Sequence, residues 1–277
     1  MRKLTGSALL AFTTLAPGSV RAQAAPAAPQ YNVLSVFRET VKPGKAAGHE
    51  ALESAWAAAN VAAKATPMLA VSAMSGAPEN WYMSAFPTWA DYAKSNKANA
   101  ENPALAAIEK QYSSQEGEYL SDGRLMLLTF REDLSYGPPA DLATTRYFSI
   151  TRISTRPGHT TEYEDNRKMV KAAHESAHLI DSYSMWQAQA GAPAGTFFLI
   201  VARKSLAELD DAGTVHGPAY QAALGGAEGQ AKIAAMQASA VISSELNHFA
   251  FAPAQSIPLA EWVAADPGFW KPKKKAP

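Results

Sequence analysis

The chain contains no cysteine. That excludes disulfides, thiolate catalysis, cysteine-bound metal and a lipid-modified N-terminal cysteine. A surplus of either charge is also missing: 25 basic and 25 acidic side chains leave a formal net charge of zero. Nucleic acid and anionic membrane surfaces call for a basic face, so neither is expected as the main partner. Long apolar runs are absent too. The longest N-terminal candidate covers about residues 8–16, far short of the roughly 20 residues that span a bilayer.

That short run has a different reading. Arg2 and Lys3 precede it, and Ala22-Gln23-Ala24 supplies a small-x-small cleavage pattern. Together they predict a secretory signal over 1–24, a flexible Ala/Pro leader over 25–30 and an exported protein, periplasmic or secreted. With 47% hydrophobic residues the mature chain can build a core without disulfides.

What the chain does have is an internal repeat. A strand-like run ends in Val41-Lys42-Pro43-Gly44, a helix-like run follows, and then Gly76-Ala77-Pro78. The order returns as Thr155-Arg156-Pro157-Gly158, a helix-like run and Gly191-Ala192-Pro193. Pro43 and Pro157 are 114 positions apart, Pro78 and Pro193 115. Strands are predicted near 31–40, 68–75, 81–86 and 124–131, with helices over 45–64 and 88–119, the latter interrupted at Asn102-Pro103. The second copy predicts strands near 146–153, 183–190, 196–202 and 245–252, and helices over 159–178, 204–211 and 218–241. Each copy therefore reads β-α-β-β-α-β, a ferredoxin-like unit in the α+β class. One unit leaves a sheet face bare, and two can cover each other. The copies span 31–134 and 146–252, joined by a linker over 135–145, and a Pro/Lys-rich tail over 253–277 ends in a basic run expected to be solvated.

Two such units, each with a Lys/Arg-Pro-Gly turn after its first strand, resemble the dimeric α/β-barrel superfamily. That group includes cofactor-free antibiotic-biosynthesis-type monooxygenases, NIPSNAP-like proteins and the haem-binding chlorite dismutases. The resemblance implies one barrel closed within one chain. It also implies a small-molecule ligand, and for an enzyme a cofactor-independent oxygenase. No cofactor is favoured, and oligomeric state is not set by the sequence.

Alternation along the strands gives candidate pocket residues. Leu34, Val36, Phe148 and Ile150 form the more apolar face of the two first strands and are assigned to the helix side. The other face, with Val33, Ser35, Phe37, Tyr147, Ser149 and Thr151, is assigned to the interior. Tyr82, Ser84 and Phe86 join it, as do Phe197, Leu199, Val201, Trp186 and His248. Arg38 and Arg152 are repeat equivalents. Such a lining suits a small apolar or aromatic ligand, and it equally suits a filled core.

The sharpest motif is His174-Glu175-Ser176-Ala177-His178, an H-E-x-x-H. On a helix the two histidines would share a face and hold zinc, with Glu175 as general base. Asp181 stands where the extended motif needs glycine, Ser184 where it needs a third histidine, and Glu208 is the first downstream acidic candidate. Helical phase places Tyr163, Val170, His174 and Ala177 on one stripe and His49, Trp56, Asn60 and Ala63 on its equivalent. His174 thus corresponds to Asn60, and the structural reading is preferred over a zinc hydrolase. His49 and His159, near helix starts, are expected to face solvent. A haem-binding reading would use His248 or His216 as axial ligand. A non-catalytic interaction domain is the further alternative.

Overall fold

The computed structural model describes residues 31–210 and 217–271. The signal and leader over 1–30, His216, and the Lys273-Lys274-Lys275 run lie outside the described residues.

The first repeat runs β1 (Val33–Val41), α1 (Ala46–Ala62), β2 (Leu69–Ala73), β3 (Glu79–Phe86), α2 (Trp89–Glu101), α3 (Pro103–Tyr119) and β4 (Leu120–Phe130). The second runs β5 (Tyr147–Thr155), α4 (Thr160–Ser176), β6 (Ser184–Ala190), β7 (Thr196–Arg203), α5 (Pro218–Ala223), α6 (Gly226–Ala240) and β8 (Val241–Phe251). The order matches the sequence reading, and so does the break at Asn102. Its side chain accepts from the Ala104 and Leu105 amides, and Pro103 takes the first helical position. The 218–241 helix is split instead at Gly225, whose φ of +91° no helix tolerates. The 204–211 helix is reduced to one 3-10 turn at Leu206–Leu209. β4 and β8 begin several residues earlier than alternation suggested. Their polar first halves, such as Ser121-Asp122-Gly123, carry no apolar signal but pair with the ends of β1 and β5.

The eight strands close into an antiparallel barrel in the order β1-β3-β2-β8-β5-β7-β6-β4. The repeats meet at two seams, β2 with β8 and β4 with β6. The two Gly-Ala-Pro turns sit at these seams. Gly76 and Gly191 both have φ +77°, and a Cβ there would strike the Asn247 side chain or the Leu125 carbonyl of the other repeat. Both glycines thus let one repeat approach the other.

The repeats also exchange straps. After β4, a 3-10 turn at Glu132–Leu134 crosses to the second repeat, where Ser135 Oγ accepts from the Met185 amide at 2.9 Å. After β8, the equivalent turn at Pro253–Gln255 crosses to the first, where Ser256 Oγ accepts from the Ala70 amide at 2.9 Å. Arg131 reinforces the first crossing, donating to Glu164 at 2.5 Å and Gln187 at 2.7 Å.

Residues 253–271, read above as part of a tail, are folded. Two short helices, α7 (Ala260–Ala265) and α8 (Pro267–Trp270), close the barrel end where β5 starts and β8 finishes. Trp270 is 3% exposed, packs on Phe251 and donates from Nε1 to the Ala143 carbonyl at 3.1 Å. Arg146 pairs with Asp266 and lies 3.9 Å from the Phe269 ring centre. The apolar residues Trp262, Phe269 and Trp270 outweigh the prolines that suggested a loose tail.

Candidate functional site

The barrel interior is a filled core. Leu34, Val36, Trp81, Met126, Leu128, Phe148, Ile150, Trp186, Phe198 and Phe249 belong to one buried cluster fed by every strand. Rings of Trp81 and Phe249 stand 4.9 Å apart across it. The inward assignment is therefore reversed for β1 and β5: Leu34, Val36, Phe148 and Ile150 face the interior. The physical reason is that eight strands converge on a dry centre. The outer face instead meets amphipathic helices and tolerates hydroxyls.

The pocket candidates are distributed accordingly. Trp186 points inside, donating from Nε1 to Ser184 Oγ at 3.1 Å. Phe37 and Tyr82 pack under α1 beside Trp56, and Phe197 packs under α4 against Tyr163. Phe86 stacks edge-on with Tyr92 of α2. Ser84 Oγ donates to the Pro67 carbonyl at 3.0 Å. Ser35 shares the face of Phe37, and Tyr147 that of Ser149. Ser149 Oγ lies 3.0 Å from His248 Nδ1 and accepts from Arg203 Nε at 2.9 Å. His248 alternates with inward Asn247 and Phe249 and so stands outside the barrel. The packed interior does not fit a haem, and His248 does not reach it.

One end of the interior closes in charge. Arg38 pairs with Glu79, Arg152 with Glu245 at 2.7 Å, and Trp81 Nε1 donates to Glu79 at 2.9 Å. Asn247's hydrogen bond, then Arg152's charge, hold the Glu245 carboxyl below its usual range. The space left among these groups is about 10 Å³, room for one water.

The H-E-x-x-H segment is split by the end of its helix. α4 stops at Ser176, and His178 lies beyond it with φ +50° and an exposed side chain. The two histidines share no helical face. His174 is buried and its Nδ1 donates to the Val170 carbonyl at 2.8 Å, as Asn60 Nδ2 donates to the Trp56 carbonyl at 2.9 Å. Both bond to the residue four positions back, at equivalent places in α4 and α1. His159 pairs with Glu162 at 2.8 Å. His49, expected at the surface, is instead buried, because its stripe faces the sheet.

The larger space lies outside the barrel, between β5, β7 and β8 and the layer of α4 and α6. This cavity of about 160 Å³ is lined by Thr151, Ile153, Tyr163, Asn166, Arg167, Leu199, Gln237 and Ser244. Thr151 and Leu199 were named from sequence. Arg167 was missed, although it sits four residues after Tyr163 and therefore on the same stripe. Its Nε is buried with no hydrogen-bond partner, and it forms no ion pair among the described residues. Its guanidinium carbon is 5.4 Å from the Tyr183 ring, whose hydroxyl is also buried without a partner. Burial pushes the Tyr163 and Tyr183 phenols up to about 12, against the opposing charge of Arg167. Asn166 is fixed by donating to the Ile233 carbonyl of α6 at 2.8 Å. One wall is thus apolar, and the other carries amides, hydroxyls and a cation.

No protein-family model matches the chain. No curated protein matches it either. Solved structures do. An anthrone oxidase-like protein aligns over 80% of this chain and 92% of its own, at 13% identity and a TM-score of 0.50. A candidate monooxygenase from Fusobacterium nucleatum subsp. nucleatum aligns over 80% and 92%, at 9% identity and a TM-score of 0.49. A mutant chlorite dismutase from Candidatus Nitrospira defluvii aligns over 82% and 94%, at 10% identity and a TM-score of 0.48. At such identities the likeness is one of fold. Among the described residues, no helix is long and apolar enough to cross a membrane. Two fused β-α-β-β-α-β repeats closing one eight-stranded barrel give this chain the dimeric α/β-barrel fold.

Proposed function

We propose that this is an exported barrel protein that binds a small organic anion, an aromatic or branched carboxylate, in the cavity beneath α4 and α6. The observation that supports this most is Arg167, a guanidinium facing a 160 Å³ space with a buried, unpartnered Nε. A buried donor without an acceptor costs about 1–3 kcal/mol, which a bound carboxylate would recover. Size agrees: an engineered apolar cavity of about 150 Å³ admits benzene. Ile153, Leu199 and the Tyr163 ring offer an apolar wall, while Asn166, Gln237 and Ser244 offer polar atoms for the rest of the ligand. The role is one of binding, and no cavity residue is assigned a catalytic part.

Calorimetric titration with benzoate, and with benzyl alcohol as its uncharged counterpart, tests the reading. Benzoate is expected to bind, benzyl alcohol much more weakly, and Arg167→Met is expected to lower benzoate affinity about 10- to 100-fold. Equal affinity for both probes, or benzoate binding unaffected in Arg167→Met, would remove the basis of the proposal.

A further inference from the structure

Repeat 1 fills the equivalent space with three ionisable side chains. Strand alternation puts Glu39 on the helix-facing side of β1, and His49 and Glu53 stand one turn apart on the inner face of α1. They are 2%, 1% and 5% exposed. His49 Nε2 lies 2.7 Å from Glu39 Oε2, and one ligand-capable atom from each residue falls within 4.8 Å of the others. Around them, Asn80 Nδ2 is 3.4 Å from His49 Nδ1 and donates to Gln255 Oε1 at 3.0 Å. Tyr82 Oη donates to the same Gln255 oxygen at 3.3 Å.

The fold does not require this arrangement. The repeat offset of 114 matches Glu39, His49 and Glu53 to Ile153, Tyr163 and Arg167, none of them an acid. Two carboxylates withdrawn from water cost several kcal/mol each unless neutralised. Among the described residues neither forms an ion pair with lysine or arginine, and the one imidazole can balance only one of them. A divalent cation would balance the second carboxylate in place of a proton. One imidazole nitrogen and two carboxylates form a mixed N/O donor set that suits first-row divalent ions.

We propose that Glu39, His49 and Glu53 hold one divalent transition-metal ion, of the Zn²⁺ or Mn²⁺ type, as a structural clamp between β1 and α1. His49 ligates through Nε2. Nδ1 then carries the ring proton; with the Asn80 and Gln255 amides both turned, Asn80 Oδ1 accepts from His49 Nδ1 and from Gln255 Nε2 as an outer partner. Gln255 links the site to the C-terminal strap, so the ion ties helix, sheet and strap together.

The test uses the full chain, stripped with chelator and then dialysed separately against Zn²⁺ and Mn²⁺. Metal content per chain and melting temperature are measured. One ion per chain and a melting temperature raised by several degrees are expected. Glu39→Gln and Glu53→Gln are expected to lose the ion, whereas His174→Asn keeps it, separating this site from the H-E-x-x-H segment. Co²⁺ absorption of the wild-type chain gives a readout that no variant's folding can confuse: d–d bands report an N/O-bound ion. Absence of any stoichiometric ion in wild type overturns the proposal, as does full retention in Glu53→Gln. Either result would mean that protons alone fill the cluster. Benzoate binding by Glu53→Gln is expected to match wild type, so this proposal and the anion-binding one fail separately.

Discussion

Glu53 and Arg167 occupy the same place in the two repeats and carry opposite charge. Each is the eighth residue of its helix, α1 starting at Ala46 and α4 at Thr160, and each faces its sheet. Around Glu53 the space is filled by Phe37 and Tyr82, whereas around Arg167 the equivalent Thr151 and Leu199 leave it open. Duplication has thus produced one scaffold with two differently charged compartments between sheet and helices. Such divergence is expected where backbone packing is shared and only side chains differ.

This equivalence gives a direct experiment. Putting the repeat 1 residues into repeat 2, as Thr151→Phe with Leu199→Tyr, should fill the cavity. Benzoate binding is expected to vanish, while stability changes by no more than about 1–2 kcal/mol, since the added volume replaces a void. Calorimetry and thermal melting measure the two effects.

His174 is expected to behave as a structural residue. His174→Asn restores the residue of repeat 1 and keeps a donor for the Val170 carbonyl, so a cost near 1 kcal/mol is expected. His174→Leu leaves that bond unmade and the Asp181 contact at 3.4 Å lost, and about 2–3 kcal/mol is expected. Urea unfolding of both variants measures the difference.

Alkaline stability follows from the buried phenols. Burial raises Tyr163 and Tyr183 from the ordinary 10 to about 12 in the folded chain. A raised folded pKa contributes stability that is complete below pH 10 and is lost as pH rises toward 12, because the unfolded chain ionises first. Unfolding free energy should therefore fall between pH 10 and 12, and Tyr163→Phe should flatten that slope.

Trp270→Ala is expected to destabilise the chain by about 3–5 kcal/mol, because it opens the dry end of the barrel against Phe251. A loss under 1 kcal/mol in chemical denaturation would mean that the C-terminal segment does not close the core.

The repeat made the fold readable. Two Lys/Arg-Pro-Gly turns and two Gly-Ala-Pro turns fixed the order of elements, and the structure keeps that order. Facing was not readable from β1 and β5 alone. Leu34 and Ile150 are apolar whether they meet helices or other strands, and only barrel closure decides which. The compartments were hidden for another reason. Arg167 and Glu53 look like ordinary solvent-facing helix charges until the helix phase carried by Tyr163 and His49 is applied to them. Glu39 draws meaning only from His49, ten residues away and across a turn. Residues such as Trp262 and Trp270, set among prolines, gave no periodic signal for the plug they form.

The most direct test of the account is methyl NMR of the labelled chain during a benzoate titration. Saturable shifts are expected at Ile153 and Leu199, which line the outer cavity, with Leu34, Val36 and Ile150 inside the barrel unmoved. Shifts centred on Leu34, Val36 and Ile150, or none at Ile153 and Leu199 under saturating benzoate, would contradict it.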